Sequence, residues 1–226
     1  TNDIFYGGPS HLVLSTGASV LLFDMQQQAV VAELASPAVK YVVWSPDAQR
    51  VALLSKHTIT LTDKQFSESH MIHETIRIKS AAWDANGVLL YSTLNHIKYA
   101  LPQGDTGIIK TLEQPVYLTY IQGSTVYCLD RQACPRTITI DPTECQFKLA
   151  LLHKRYDEVL HIIRASRLVG QSIIAYLQKK GFPEIALHFV QDKTTRFDLA
   201  VECGNLEARL ETAEAINVPE IWKRLG

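Results

Sequence analysis

Three groups of residues in this 226-residue chain have types and spacings that chemistry can use. Asp105-Thr106-Gly107 carries the letters of an aspartic-protease catalytic loop, in which two carboxylates share one proton. No second Asp-Thr-Gly or Asp-Ser-Gly occurs in the sequence, so a second copy of the chain would have to supply the partner. Gly104 and Asp105 also fall where a turn between two short strands is due, and Gly and Asp are residues that turns select. The turn is the better reading. His70-Met71-Ile72-His73, followed by Glu74, resembles a metal set. The metalloprotease arrangement places its histidines at i and i+4 of one helix with Glu between them. Here the spacing is three within a predicted strand, which directs the two rings to opposite faces, so exposed or structural histidines are expected. Cys128, Cys134, Cys145 and Cys203 match no Cys-x-x-Cys pair or zinc knuckle and read as free, buried thiols of an intracellular chain.

No Gly-x-Ser-x-Gly elbow, Walker loop or dinucleotide fingerprint occurs. Lys179-Lys180 closes a predicted helix, where cations complement the macrodipole. The expectation is therefore a protein that is not an enzyme, with no catalytic, cofactor-binding or metal residue and no cofactor. Composition agrees: 46% of residues are hydrophobic and 20% charged, as in ordinary globular domains. The balance of 22 basic and 23 acidic residues leaves a net charge of −1, without the basic excess of a nucleic-acid binder. No signal peptide is evident at the start of the sequence. Residues 4–23 lack Asp, Glu, Lys and Arg but contain Gly7, Gly8, Pro9, Ser10, His11 and Gly17, too polar and broken for a membrane span.

The elements that would position such residues change character near Pro142. Before it, short runs rich in Val, Ile, Thr and Tyr alternate with Gly, Asn, Asp and Ser, the signature of many short strands. These runs repeat. Val39-Lys40 leads to Trp44, then Ser45-Pro46-Asp47, then Val51-Ala52-Leu53-Leu54. After 39 residues Ile78-Lys79 leads to Trp83, then Asp84-Ala85-Asn86-Gly87, then Val88-Leu89-Leu90-Tyr91. A weaker copy begins at Val116, turns at Gln122-Gly123-Ser124 and continues through Val126-Tyr127-Cys128-Leu129. An incomplete copy, Leu12-Val13-Leu14 with a turn at Thr16-Gly17, opens the chain. Strands end at Asp24, Asp63, Leu101 and Asp141, spaced by 39, 38 and 40. His57 and His96, also 39 apart, fall in the same turn of successive units. A period of about 40 residues with several strands per unit predicts propeller blades of WD-repeat type. Residues 1–141 supply about three to four blades, short of a closed ring, which predicts a fragment of a larger chain cut within its opening blade.

From Pro142 onward Leu, Ala, Glu, Lys and Arg recur at helical spacing. Asp141 can cap a first helix with Pro142 in its first turn. Breaks at Gly170, Gly181 and Gly204 divide the remainder, with helices expected over 173–177, 185–190 and 197–201. Glu158, Glu184 and Glu207 open three helices alike. Short helix pairs of this kind predict an α-solenoid. The domain reading is 1–141, the C-terminal blades of a propeller, and 142–226, the beginning of the solenoid.

Several stretches allow a narrower statement. Thr1-Asn2-Asp3-Ile4-Phe5-Tyr6, Asn95-His96-Ile97-Lys98-Tyr99-Ala100, Val126-Tyr127-Cys128-Leu129-Asp130-Arg131, Thr139-Ile140-Asp141-Pro142-Thr143-Glu144 and the run from Leu168-Val169-Gly170 to Lys179-Lys180-Gly181 resemble the alpha-subunit family of coatomer, coat protein complex I (COPI). The likeness is densest from Asn95 to Gly204, and Arg209 and Val218-Pro219-Glu220 depart from it. It implies the end of a second WD-repeat propeller joined to the start of the solenoid. It further implies a structural coat subunit in Golgi-to-ER and intra-Golgi transport, cytoplasmic and peripheral on Golgi membranes and coated vesicles. The partners implied are other coatomer subunits, beta-prime most directly and epsilon elsewhere on the full chain, and the Golgi membrane through a small GTPase. Dilysine cargo is implied through a first propeller that this segment lacks, so no cargo-site residue carries over. The competing readings are another propeller–solenoid trafficking subunit, of intraflagellar transport or tethering type, and a stand-alone peptide-recognition propeller. A propeller enzyme using Asp105 or the His70/His73 pair is the reading of a different kind.

Overall fold

The computed structural model describes residues 2–165, 171–190 and 192–225. The break expected at Gly170 and the stretch Leu168-Val169-Gly170 lie outside the described residues. The chain forms two compact units, one ending at Leu149 and one beginning at Ala150.

The first unit consists of four antiparallel sheets. Strands β1 (Asp3–Tyr6), β2 (His11–Ser15), β3 (Ser19–Asp24) and β4 (Ala29–Ala35) form the first, in that spatial order. The second is β5 (Tyr41–Trp44), β6 (Arg50–Leu54), β7 (Thr58–Asp63) and β8 (Ser69–His73). The third is β9 (Ser80–Trp83), β10 (Leu89–Ser92), β11 (His96–Ala100) and β12 (Thr106–Thr111). β13 (Tyr117–Gln122), β14 (Thr125–Leu129) and β15 (Pro135–Thr139) form a three-stranded fourth sheet. Each sheet is a meander, as in propeller blades. The incomplete blade is the last and not the opening one. Asp3-Ile4-Phe5-Tyr6 supplies the strand missing from the expected first copy, separated from β2 by the Gly7-Gly8-Pro9 interruption that hid it.

Burial follows each blade's neighbours. β6, β7 and β10 are buried along nearly their whole length, since the second and third sheets are covered on both faces. Runs such as Val51-Ala52-Leu53-Leu54 therefore lack alternation: Val51 and Leu53 pack toward Val13, Val20 and Leu22, while Ala52 and Leu54 pack toward Trp83, Leu89 and Tyr91. β2, β3 and β14 do alternate, which marks one covered face.

The repeat is also written in backbone hydrogen bonds. The amides of Asn2, Lys40 and Lys79 donate to the carbonyls of Ser15, Leu54 and Ser92 at 2.7, 2.7 and 2.8 Å. The residues after the third strands, Met25, Lys64 and Ile140, donate to Ser10, Gln49 and Ser124. In the third sheet the residue after β11, Leu101, donates to Asp105 instead, and Pro102 behind it has no N–H to give. The Asp that ends a strand also has a local task. Asp24 accepts from the amides of Gln26 and Gln27, and Asp63 from those of Ser67 and Glu68.

Asp141 receives the amide of Thr143 at 3.0 Å and opens α1 (Thr143–Leu152), with Gln146 N–H donating to Pro142. The first turns of α1 lie in the unit of the strands and its last residues in the second unit. The second unit continues with α2 (Tyr156–Ala165), α3 (Gln171–Lys179), α4 (Pro183–Ala186), α5 (Lys193–Glu202), α6 (Leu206–Ile216) and α7 (Pro219–Leu225). Gly181 and Gly204 take positive φ, 80° and 70°, and end helices as expected. The helix expected over 185–190 is one turn long. His188 and Phe189 bond three residues back, and Asp192 then caps a new helix by accepting Thr195 N–H at 2.8 Å. α6 is capped in the same way by Asn205. Phe197, Ala213 and Ile221 form the buried centre where α5, α6 and α7 meet.

Candidate functional site

The polar groups of the first unit converge on joints. At the ends of β5 and β9, Trp44 and Trp83 each donate an indole N–H to the first strand of the preceding sheet. Trp44 Nε1 meets Tyr6 O and Trp83 Nε1 meets Val43 O, both at 2.9 Å. Two tryptophans 39 residues apart thus fasten sheet to sheet, each adding a hydrogen bond to its apolar burial. On the third sheet Ser80 and Ser92 share a 2.6 Å hydroxyl contact. Ser92 also donates to Val116 O, and Ser80 accepts Leu118 N–H, which ties in the fourth sheet.

Two ionic clusters, each with one buried charged member, complete the set. Glu74, in the connection between β8 and β9, receives Lys98 Nζ at 2.7 and 2.9 Å and the Tyr91 hydroxyl at 2.6 Å. Burial first, and the adjacent Glu74 carboxylate second, drive the Tyr91 phenol far above its usual range, so it acts as a permanent donor. The second cluster anchors α1. Lys148 Nζ donates to Tyr99 Oη at 2.8 Å and to Glu144 Oε1 at 2.6 Å, and Tyr99 Oη donates to Glu144 at 3.0 Å. The Lys148 ammonium also sits 5.5 Å from the centre of the Tyr99 ring. On β12, Gly107 makes room for that ring: a Cβ there would lie 2.4 Å from Tyr99 Cε1. The Glu144/Lys148 spacing of four is visible in the sequence, but nothing local identifies Tyr99, 45 residues before Glu144, as its partner.

The residues singled out for chemistry are dispersed. Gly104 and Asp105 occupy the turn between β11 and β12, where Gly104 has φ 88°, and Thr106 and Gly107 belong to the following strand. His70 lies against Gly104, and its strand neighbour at i+2, Ile72, is buried, while His73 pairs opposite Thr58. Among the described residues no group of three or more His, Cys, Asp or Glu could hold a metal ion. His57 and His96 share a turn type but not a position. Glu74 N–H caps His57 O as Leu112 N–H caps Asn95 O, so His57 corresponds to Asn95. The four cysteines are free; Cys128 and Cys145 are buried, Cys203 is half-buried and Cys134 is exposed. Burial pushes the Cys145 thiol up to about 12. Lys180 sits over the Tyr176 ring at 5.7 Å. Trp222, whose indole N–H reaches Asn217 Oδ1 at 3.3 Å, remains partly exposed. What these arrangements supply is rigidity at the joints between blades and at the root of α1.

Comparison with known proteins matches the same two segments. Residues 1–130 match the family model described as COPA/B second beta-propeller, and residues 147–226 the one described as COPA/B TPR domain. The coatomer subunit alpha of Saccharomyces cerevisiae is 55% identical over 222 residues, 98% of this chain and 18% of that protein. The coatomer subunit alpha-2 of Arabidopsis thaliana is 54% identical over 226 residues, all of this chain and 19% of that protein. The chain therefore spans about a fifth of the length of these relatives. The β-propeller domain of Myceliophteria thermophila Cps50 (Swd1) superimposes with a TM-score of 0.50 at 11% identity, over 62% of this chain and 52% of that one, a likeness of fold.

Proposed function

Because the chain belongs to the COPA/B family of coatomer subunits, with coatomer alpha subunits as its relatives across its length, we propose that it is the propeller-to-solenoid joint of a coat scaffold. The observation that carries the reading is the direct passage from blades to helices through a buried anchor. β15 ends at Thr139, α1 begins at Thr143, and Lys148 and Glu144 hold α1 to Tyr99 of the third sheet. Tyr99, Glu144 and Lys148 all belong to the first unit, so the network holds the opening turns of α1 within it. We take residues 1–141 as propeller and 142–226 as solenoid.

The matched families are named for their folds and carry no catalytic description, so we assign no reaction to Asp105 or to the His70/His73 pair. The alternative of an intraflagellar-transport or tethering subunit is not favoured, since the relatives are coatomer subunits along the whole chain. In the full protein we assign the solenoid to contact with the beta-prime subunit and more distant parts to epsilon. Golgi recruitment would run through a small GTPase and dilysine cargo through the other propeller. Among the described residues no helix is long and apolar enough to cross a membrane, consistent with peripheral attachment. The test is recovery of the tagged full-length parent from cytosol in moderate salt, with its companions identified by mass spectrometry. A stoichiometric set of coat subunits, beta-prime and epsilon among them, is expected. Recovery of the protein alone would overturn the reading.

A further inference from the structure

Lys40 and Lys79 hold equivalent places in the repeat, immediately before the first strands of the second and third sheets, and their backbone amides are fixed by equivalent bonds. No blade-to-blade contact described above uses their side chains. Together with Arg77 they line a cavity of about 120 Å³ whose wall includes Tyr41, Tyr117 and Ser55. No carboxylate lines it, and among the described residues none of the three cations belongs to an ion pair. The acid nearest in sequence, Glu74, is committed to Lys98 and Tyr91. In a chain of net charge −1, three cationic residues outside every ion pair of the described residues therefore line one small recess.

We propose that this recess is a phosphate-monoester site that takes a phosphorylated serine or threonine side chain of a partner protein. Charge selects the ligand. A phosphorylated side chain carries about −1.5 to −2 charges and three strong acceptor oxygens, which three cations and the flanking tyrosine hydroxyls can engage together. A lone carboxylate would be served by the guanidinium of Arg77 without the two lysines. The surroundings select a peptide over a membrane. Tyr41 and Tyr117, 53% and 39% exposed, flank the recess and offer aromatic surface to a chain on either side of the phosphate. Surfaces that adsorb to anionic lipid carry clusters of about four to eight Lys and Arg, whereas three line this recess, in a concave setting. The positions are also specific to these blades. The first blade has Asn2 in the place of the lysines, and the fourth has Val116.

The test uses the purified full-length parent protein and a fluorescein-labelled Gly-Gly-phosphoserine-Gly-Gly peptide read by anisotropy up to millimolar concentration. Its unphosphorylated counterpart and phosphatidylserine/phosphatidylcholine vesicles are assayed in parallel. The phosphopeptide should bind at least about tenfold more tightly than the unphosphorylated form. Arg77→Gln and Lys79→Gln should each weaken it about tenfold, and added salt should weaken it further. Lys110→Gln, on β12 and outside the recess, should leave binding unchanged, and circular dichroism should show each variant folded. Equal binding of the two peptides, no detectable binding of either, or a Lys40→Gln/Arg77→Gln/Lys79→Gln variant that binds like the parent would overturn the proposal. So would vesicle binding that depends on these residues without phosphopeptide binding.

Discussion

The anchor of α1 predicts an asymmetry between its two charges. The Lys148 side chain is 10% exposed and that of Glu144 is 41% exposed. Lys148→Met keeps the aliphatic volume and removes the ammonium. The carboxylate left behind is open to water and still accepts from Tyr99, so the loss is that of a partly solvated ion pair and one hydrogen bond, about 1 kcal/mol. Glu144→Gln removes the carboxylate that the buried ammonium meets at 2.6 Å. Breaking a fully buried pair in this way costs about 3–5 kcal/mol. Because Glu144 is partly open and the amide oxygen still accepts, about 2–3 kcal/mol is expected here, including the lost interaction of a first-turn carboxylate with the helix dipole. Hydrogen exchange of the amides of residues 147–152 in the full-length protein, read by mass spectrometry, reports the opening of α1 directly. Protection should fall about 30- to 150-fold in Glu144→Gln and about fivefold in Lys148→Met. Equal losses, or a larger loss in Lys148→Met, would refute the reasoning that burial of the ammonium decides the energetics.

Three further outcomes follow from the same structure. Trp83→Phe removes the bond to Val43 and part of a buried ring; exchange protection of the β5 and β9 amides should fall by about 1–2 kcal/mol, and by less in Trp44→Phe, whose ring is only half-buried. In Asp63 burial opposes ionisation, but hydrogen bonds from the Ser67 hydroxyl and the amides of Glu68 and Ser67 prevail and hold the carboxyl below the usual range. A depressed folded-state value stabilises above the unfolded pKa of about 3.9 and is lost as pH falls through the folded value; protection of the 64–68 turn, corrected for intrinsic rates, should therefore drop on acidification below pH about 4 and become flatter with pH in Asp63→Asn. Iodoacetamide at pH 8, with labelled sites mapped by mass spectrometry, should modify exposed Cys134 and spare Cys145, which is buried with its thiol pushed up to about 12.

How much of this was legible in the sequence depends on the range of the interaction. The blades were visible because each is a local meander, and the repeat at Trp44 and Trp83 or at Asp24 and Asp63 needs no distant contact. The Asp-ended strands reflect bonds spanning two and three residues at Asp24 and four and five at Asp63. The opening strand was hidden because Gly7-Gly8-Pro9 interrupts a run of only four residues whose partner alternation is invisible until β2 is paired with it. The helix expected over 185–190 had the right residue types, but Asp192 is a stronger capping signal than periodicity, and the chain spends 187–189 in turns to reach it. His57 and His96 matched in spacing, yet hydrogen bonding pairs His57 with Asn95, because a repeat is counted by its turns and not by its letters.

The anchor of α1 shows why residues that hold elements together are harder to read from a sequence than residues that catalyse. Catalysis needs particular groups, such as paired carboxylates or a nucleophile with its base, and those leave motifs that can be sought and found missing. Holding a helix against a sheet needs only a buried charge with a satisfied partner, and many residue types can provide it. Glu144 and Lys148 are a helix-surface pair by spacing and would ordinarily be worth a few tenths of a kcal/mol. What raises their importance is Tyr99, fully buried on β11, and Gly107, which cannot carry a side chain without striking its ring. Gly107 has no positive φ to require glycine, and its letters in the sequence belong to a protease-like triplet. Its need for glycine comes from Tyr99, across the β11–β12 pairing. The triplet read for its carboxylate thus contributes through its smallest member, by leaving space for the aromatic ring on which α1 is anchored.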